Sequence, residues 1–362
     1  MAADTIPPHA SLLDTAKNQT AMAIWLFFVA ALVFAMVIVG GATRLTDSGL
    51  SITEWKPLLG AIPPLTDADW AIAFEKYKKI PEYTQINEGM SLAEFKYIFW
   101  WEWAHRFLGR FIGLAFAIGL VWFWLSGRIV PGYKARLIGL FLLGGLQGFV
   151  GWYMVKSGLV DRVDVSQYRL AMHLSLAFLI FSGLIWVGLD LLHGGAEIRV
   201  AKMSDVSRGL VVSAALLVAL IFVQVALGAF VAGTKAGLTY NTWPLMDGRF
   251  VPDGLGQLTP WYLNVFENIT AIQFNHRMAA YLVLAVAAGH VAWVCFAQPG
   301  RGVMVSAWVV LVGVLAQALV GIATLLMAEG SIPIGLGLAH QGGGAVVMGL
   351  ATWHLHRLWQ LR

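Results

Sequence analysis

Of the 362 residues, 59% are hydrophobic and only 12% are charged, against roughly a quarter charged in soluble proteins. A soluble globular domain is excluded on that ground. A nucleic-acid binder is excluded too, because the formal charge of +4 comes from basic residues scattered among short loops, with no aromatic-laced patch.

Residues 1 to 20 hold Pro7, Pro8 and a single Lys17 and are expected to form an N-terminal cytoplasmic segment. The first apolar run is read as a retained helix, not a cleavable leader, since no small-residue cleavage pattern follows it. Runs long enough to cross a hydrocarbon core of about 30 Å occur at 21–42, 98–125, 137–155, 170–191, 209–232, 268–296, 303–327 and 335–357. They are continuous, not alternating, and so predict an all-α membrane protein with eight transmembrane helices. An even number of spans puts both termini on one side. The basic groups Arg128, Lys134 and Arg136, then Arg199, Lys202 and Arg208, then Arg301 fall on that side with Lys17, Arg357 and Arg362. The positive-inside rule therefore predicts cytoplasmic termini in a bacterial inner (plasma) membrane. Cys295 is the single cysteine, which rules out an intrachain disulfide and a thiolate metal cluster.

The chain reads as a tandem repeat. Gly40, Thr46, Gly49, Leu50 and Trp55 recur as Gly228, Thr234, Gly237, Leu238 and Trp243, at a constant offset of 188. His105-Arg106 recurs as His276-Arg277, Gln147 with Gly151 as Gln317 with Gly321, and His173 as His340. Four helices per half in the same order and orientation predict two pseudo-symmetric four-helix bundles, at 21–192 and 209–357, joined by an inner linker at 193–208. Gln147, Gln224 and Gln317 each precede a glycine by four residues and are read as interhelical hydrogen-bonding residues.

Each half has one histidine near the start of its second helix and one near the start of its fourth, all four helices entering from the outer side. His105, His173, His276 and His340 then lie at one depth, roughly 6 to 12 Å below the outer edge at 1.5 Å per residue. Two imidazoles facing each other across a bundle are a usual ligand set for six-coordinate haem iron, so one haem per half follows. A lone intramembrane histidine would more often be a packing residue; four at matched repeat positions argue against that. Arg106, Arg110 and Arg277 are candidate partners of haem propionates, with snorkelling to the interface as the plainer reading. His290 and His354 each follow a proposed ligand by 14 residues, which fits a second haem stacked beneath the first, or interface and packing roles. Glu102 lies three residues before His105, where the second half has Gln273. It is a candidate acid or base, or the ion-pair partner of Arg106.

The chain resembles the haem A synthase family over essentially its whole length, through residues 40–57 with Gly40-Gly41-Ala42-Thr43-Arg44-Leu45-Thr46, Ser48-Gly49-Leu50-Ser51-Ile52, Glu54-Trp55 and Pro57. It shares also Glu102-x-x-His105-Arg106-x-x-Gly109-Arg110, Asn241-Thr242-Trp243-Pro244-Leu245-Met246, Asn275-His276-Arg277 and His340-Gln341. The resemblance implies an oxidoreductase that converts the methyl group of haem O to a formyl group by successive hydroxylations, for cytochrome oxidase assembly. It implies haem O as substrate between His105 and His173, haem b between His276 and His340 relaying electrons, and Glu102 as the catalytic group. The alternative from spacing alone is a di-haem, cytochrome b-like electron carrier; a haem transporter would need a polar path that the spans do not supply.

Some bacterial members of the family carry a cysteine pair in the first outer loop; residues 43–97 here have none. That loop carries Glu75, Lys76, Lys78, Lys79, Glu82, Glu88 and Glu94, as in the mitochondrial and alphaproteobacterial branch. It is expected to be a solvated cap of amphipathic helices, or else a docking surface for haem O synthase. The sequence names no electron acceptor, and a homo-oligomer in the lipid is compatible with it.

Overall fold

The computed structural model describes residues 12–56, 59–161, 163–193 and 206–361. Pro57, Arg199, Lys202, Arg362 and most of the expected linker at 193–208 lie outside them. Helices α1 (Leu12–Leu45), α2 (Asp67–Tyr77), α3 (Pro81–Gln85), α4 (Leu92–Leu125), α5 (Lys134–Asp161) and α6 (Gln167–Leu192) make up the first half. Helices α7 (Arg208–Gly233), α8 (Leu263–Phe266), α9 (Ile269–Ala297), α10 (Arg301–Leu326) and α11 (Ile334–Gln360) make up the second. All but α2, α3 and α8 are long and apolar enough to cross a membrane, giving eight spans. Ile118, Val212, Leu319 and Phe296 on their outer faces are exposed, as suits lipid and not water. The described residues form no sheet, only an isolated bridge between Met246 and Arg249.

In the first half α1 packs on α4 and α6, and α5 packs on the same two helices, closing a ring. The second half closes in the same way, α7 on α9, α9 on α10, α10 on α11 and α11 on α7. The halves meet where α1 packs on α11 and α6 on both α7 and α11. Residues related by the offset of 188 touch each other at this seam: Arg44 Nη2 donates to Ala232 O at 2.7 Å, and Lys235 Nζ stands 3.5 Å from Asp47 Oδ1. A residue can meet its own repeat equivalent only on the axis relating the repeats, so that axis runs between the ends of α1 and α7. At the same end Glu267 accepts hydrogen bonds from Gln167 Nε2 (3.0 Å) and Tyr168 Oη (2.5 Å). At the opposite end buried Asp190 of α6 pairs with Arg136 of α5 and accepts from Gln360 Nε2 of α11 at 2.9 Å.

The helix expected to start near residue 98 starts at Leu92. Ser91 and Glu94 form a capping box there, with Ser91 N donating to Glu94 Oε2 at 2.8 Å and Ser91 Oγ accepting from Glu94 N, so the helix begins before its apolar run does. The added turn presents Phe95 to the first loop, beside Phe99 of the apolar run itself. Trp70, Phe74 and Tyr77 of α2 pack on them with Leu50, Ile80 and Ile98, forming a small aromatic core separate from the bundle core. The loop is thus a folded cap. Lys76 with Glu54 and Lys78 with Glu75 pair on its exposed side, contributions of about 0 to 1 kcal/mol each.

Glu82 departs from that pattern. The sequence placed it among the solvated charges, but it is buried and its Oε2 has no hydrogen-bond partner. Burial pushes its carboxyl up from an ordinary value of 4.5 to about 8; Glu102, Asp47 and Asp164 add to the rise and Lys235 opposes it. Because the folded value lies above the unfolded one, the folded chain keeps a proton between roughly pH 4.5 and 8 that the unfolded chain has lost. Stability should therefore fall as pH rises through that window, by on the order of a few kcal/mol, and level off above it. Glu82→Gln lacks this slope. Melting temperatures of both proteins in detergent from pH 5 to 9 check the prediction, and parallel curves would defeat it.

Candidate functional site

Each of the four predicted histidines is seated against a glycine of a neighbouring helix. A Cβ at Gly40 would lie 3.2 Å from His105 Nε2, one at Gly151 2.9 Å from His173 Cε1, one at Gly228 3.1 Å from His276 Cε1, and one at Gly321 2.7 Å from His340 Cε1. Only glycine lets these rings rest on the helix backbone. The glutamines one turn earlier form the interhelical bonds their spacing suggested. Gln147 Nε2 donates to His173 O at 3.1 Å, Gln224 Nε2 to His276 O at 3.1 Å and Gln317 Nε2 to His340 O at 2.6 Å. The same amide nitrogens lie 3.3, 3.1 and 3.0 Å from a ring nitrogen of those histidines.

The His276 and His340 rings lie across the second bundle with centroids 6.4 Å apart and planes at 85°. Metal–nitrogen bonds of about 2 Å put the centroids of two trans imidazoles roughly 6 Å apart, so this pair has the spacing a six-coordinate haem iron needs. Polar atoms left over at these sites agree: Oε1 of Gln147, Gln224 and Gln317 and Nδ1 of His173 are buried without a partner. A ligating imidazole donates its second N–H to an outer acceptor, a part these oxygens take only when the amide turns over, since Nε2 faces the ring nitrogen here. In Gly321→Ala the new methyl displaces the His340 ring. Were the pair to hold a haem, the expected result is a 10- to 100-fold loss of haem affinity at this site, measured by haem titration.

The arginines that follow His105 and His276 have a common task. Arg106 Nη2 donates to Ile52 O (2.7 Å) and Nη1 to Glu54 O (3.0 Å). Arg277 Nη2 donates to Tyr240 O (2.7 Å) and Nη1 to Thr242 O (2.9 Å). Tyr240 and Thr242 are Ile52 and Glu54 displaced by 188, so each arginine clamps the same turn of the loop after its half's first helix. Arg277 Nε is buried without a partner, whereas Arg110 Nη2 donates to Lys56 O at 3.2 Å.

The two clamps differ in their filling. Glu102, 2% exposed, accepts four hydrogen bonds: Oε1 from Arg106 Nη2 (2.6 Å) and Nε (3.0 Å), Oε2 from Ile52 N (2.6 Å) and Ser51 Oγ (2.8 Å). The ion pair with Arg106, one of the two readings open in the sequence, is formed. Gln273, equally buried, instead donates Nε2 to Tyr240 O at 3.0 Å. Ser51 and Ile52 were named in the sequence only as part of the shared 40–57 motif, with no role; they stand about 50 positions before Glu102, and the fold of the cap brings them to it.

His290 and His354 form a second pair, nearer the opposite end of the second bundle. Their Nε2 atoms are 2.7 Å apart, and Ser213 Oγ and Ser306 Oγ stand 2.7 and 2.8 Å from the two Nδ1 atoms. This is a hydrogen-bonded chain crossing all four helices, with every ring nitrogen partnered. Nitrogens trans across a metal would be about 4 Å apart.

Residues 23–352 match the family described as cytochrome oxidase assembly protein. The chain is 53% identical to the haem A synthase of Parvibaculum lavamentivorans over 353 residues, 98% of each chain. It is 50% identical to that of Agrobacterium fabrum, over 96% of this chain and 92% of the relative, and 48% identical to that of Beijerinckia indica over the full length of both.

Proposed function

As the chain belongs to the cytochrome oxidase assembly protein family, at about half identity to haem A synthases throughout its length, we propose that it is a haem A synthase, an oxidoreductase acting on haem. Its substrate is haem O, whose methyl group it oxidises to a formyl group by successive hydroxylations. His105 and His173 hold the substrate in the first half; His276 and His340 hold a haem b in the second. Bound haem b supplies one-electron chemistry, relaying electrons to an acceptor. The chain's own residues position these groups and manage protons. Glycines 40, 151, 228 and 321 seat the ligand rings, Arg106 and Arg277 lock the loops over the two sites, and Glu102 is the proton-handling carboxylate one turn from His105.

The observation that carries this reading is the contrast within the clamp. Both halves share the histidine seats and the arginine, but only the first has an ionisable group beside them. The charge distribution supports cytoplasmic termini in a bacterial inner membrane with the haem sites toward the outer side. The direct bond between His290 and His354 gives no support to a lower haem, and so none to an electron carrier of the cytochrome b kind.

The test is expression in cells that make haem O but lack their own haem A synthase, with extracted haems identified by mass. Wild-type protein should yield haem A, and Glu102→Ala should leave haem O. No haem A from the wild type overturns the activity; normal haem A from the variant overturns the role of Glu102.

A further inference from the structure

Three of the four ligand histidines are braced by a glutamine and one is not. The offset that aligns Gly40 with Gly228 puts Met36 where Gln224 stands, four residues before the glycine that seats His105. Met36 faces the helix that carries His105: its Cε lies 3.5 Å from where a Cβ on Gly109, one turn beyond His105, would be. A thioether has no hydrogen to donate, and among the described residues no side chain hydrogen-bonds to the His105 ring. That ring is also turned differently. Its Nε2 and Cδ2 face the seating glycine, whereas His173, His276 and His340 all present Cε1 first.

Partners of this kind, which hold the histidine through its backbone O and stand beside its ring, fix the orientation of a ligating imidazole, and losing an outer partner typically costs 10- to 100-fold in metal affinity. The second half has two braced ligands, Gln224 on His276 and Gln317 on His340. The first half has one, Gln147 on His173. We infer that His105 is the releasable ligand of the first site: Gln147 keeps His173 in place, and methionine at position 36 leaves the His105 ring free to turn aside for haem entry and departure. Met36 and Gln147 are positioning residues. The inference rests on the proposal that the first half handles a haem that turns over while the second keeps its own.

The test uses full-length protein in detergent, loaded with iron protoporphyrin IX, and follows haem transfer to excess apomyoglobin together with the spin state of the haem that stays behind. Wild-type protein should lose haem in two phases, the fast one abolished by His173→Ala and the slow one by His340→Ala. Met36→Gln, nearly equal in size, should slow the fast phase about tenfold and raise the low-spin fraction. Gln147→Met should speed the fast phase about tenfold and Gln224→Met the slow phase, which keeps the inference testable should Met36→Gln not fold. An unchanged fast phase in Met36→Gln, or in Gln147→Met, overturns it. Absence of any phase sensitive to His173→Ala overturns instead the assignment of a haem to the first half.

Discussion

Arg106→Ala destabilises the fold by about 3 kcal/mol or more, the usual consequence of stranding one member of a buried ion pair. Glu102 has no access to water, and two of its four hydrogen bonds come from this guanidinium. The variant also gives up the bonds to Ile52 O and Glu54 O, at about 1 kcal/mol each. The stranded charge is the larger effect. Arg277→Ala separates the two contributions, because it removes the equivalent loop bonds with no carboxylate left behind. Thermal unfolding in detergent should thus show a distinctly lower transition for Arg106→Ala than for Arg277→Ala. Equal shifts would mean that the loop bonds alone matter. Arg106→Lys should recover only part of the loss, since an ammonium cannot present the planar fork that meets Glu102 and two carbonyls together.

Glu102→Gln reaches the chemistry as well as the fold. The second half already shows that an amide fits this position, with Gln273 buried and bonded to the loop beside Arg277. The variant should still fold and bind haem but melt below the wild type, because Arg106 loses its counter-charge and an amide N–H meets donors that the carboxylate accepted; haem A formation should drop by about 100- to 10,000-fold, the range for losing a positioned acid or base. The readout is the ratio of haem A to haem O in extracts, normalised to haem bound. A near wild-type ratio would show that the carboxylate serves the architecture of the cap and not the oxidation.

The spans were legible in the sequence because they are written locally: an apolar run needs no partner to be recognised, and the repeat marks the histidine positions twice. The surroundings of Glu102 were not. Its donors Ser51 and Ile52 arrive through the cap, whose aromatic core pairs Trp70, Phe74 and Tyr77 with Phe95 and Phe99, and no periodicity in the loop announces that packing. Glu82 misled for the same reason, being one more acidic residue in a charged stretch until the cap closes over it. The start of α4 could have been read from Ser91 and Glu94, a capping-box spacing in plain view. Met36 was legible as well, since the offset that aligned Gly40 with Gly228 puts it opposite Gln224; that comparison requires looking for what a repeat lacks.

The contact between Asp47 and Lys235 has a historical side. In a dimer of two identical chains, a residue on the symmetry axis faces its own copy, so aspartate would oppose aspartate and lysine would oppose lysine. Opposite charges there are open only to two halves encoded separately and free to diverge. The seam is therefore one that two identical halves could not make, and it acts as a ratchet. With Asp47 and Lys235 in place, either half paired with a second copy of itself would set like charges together where the present chain has an attraction.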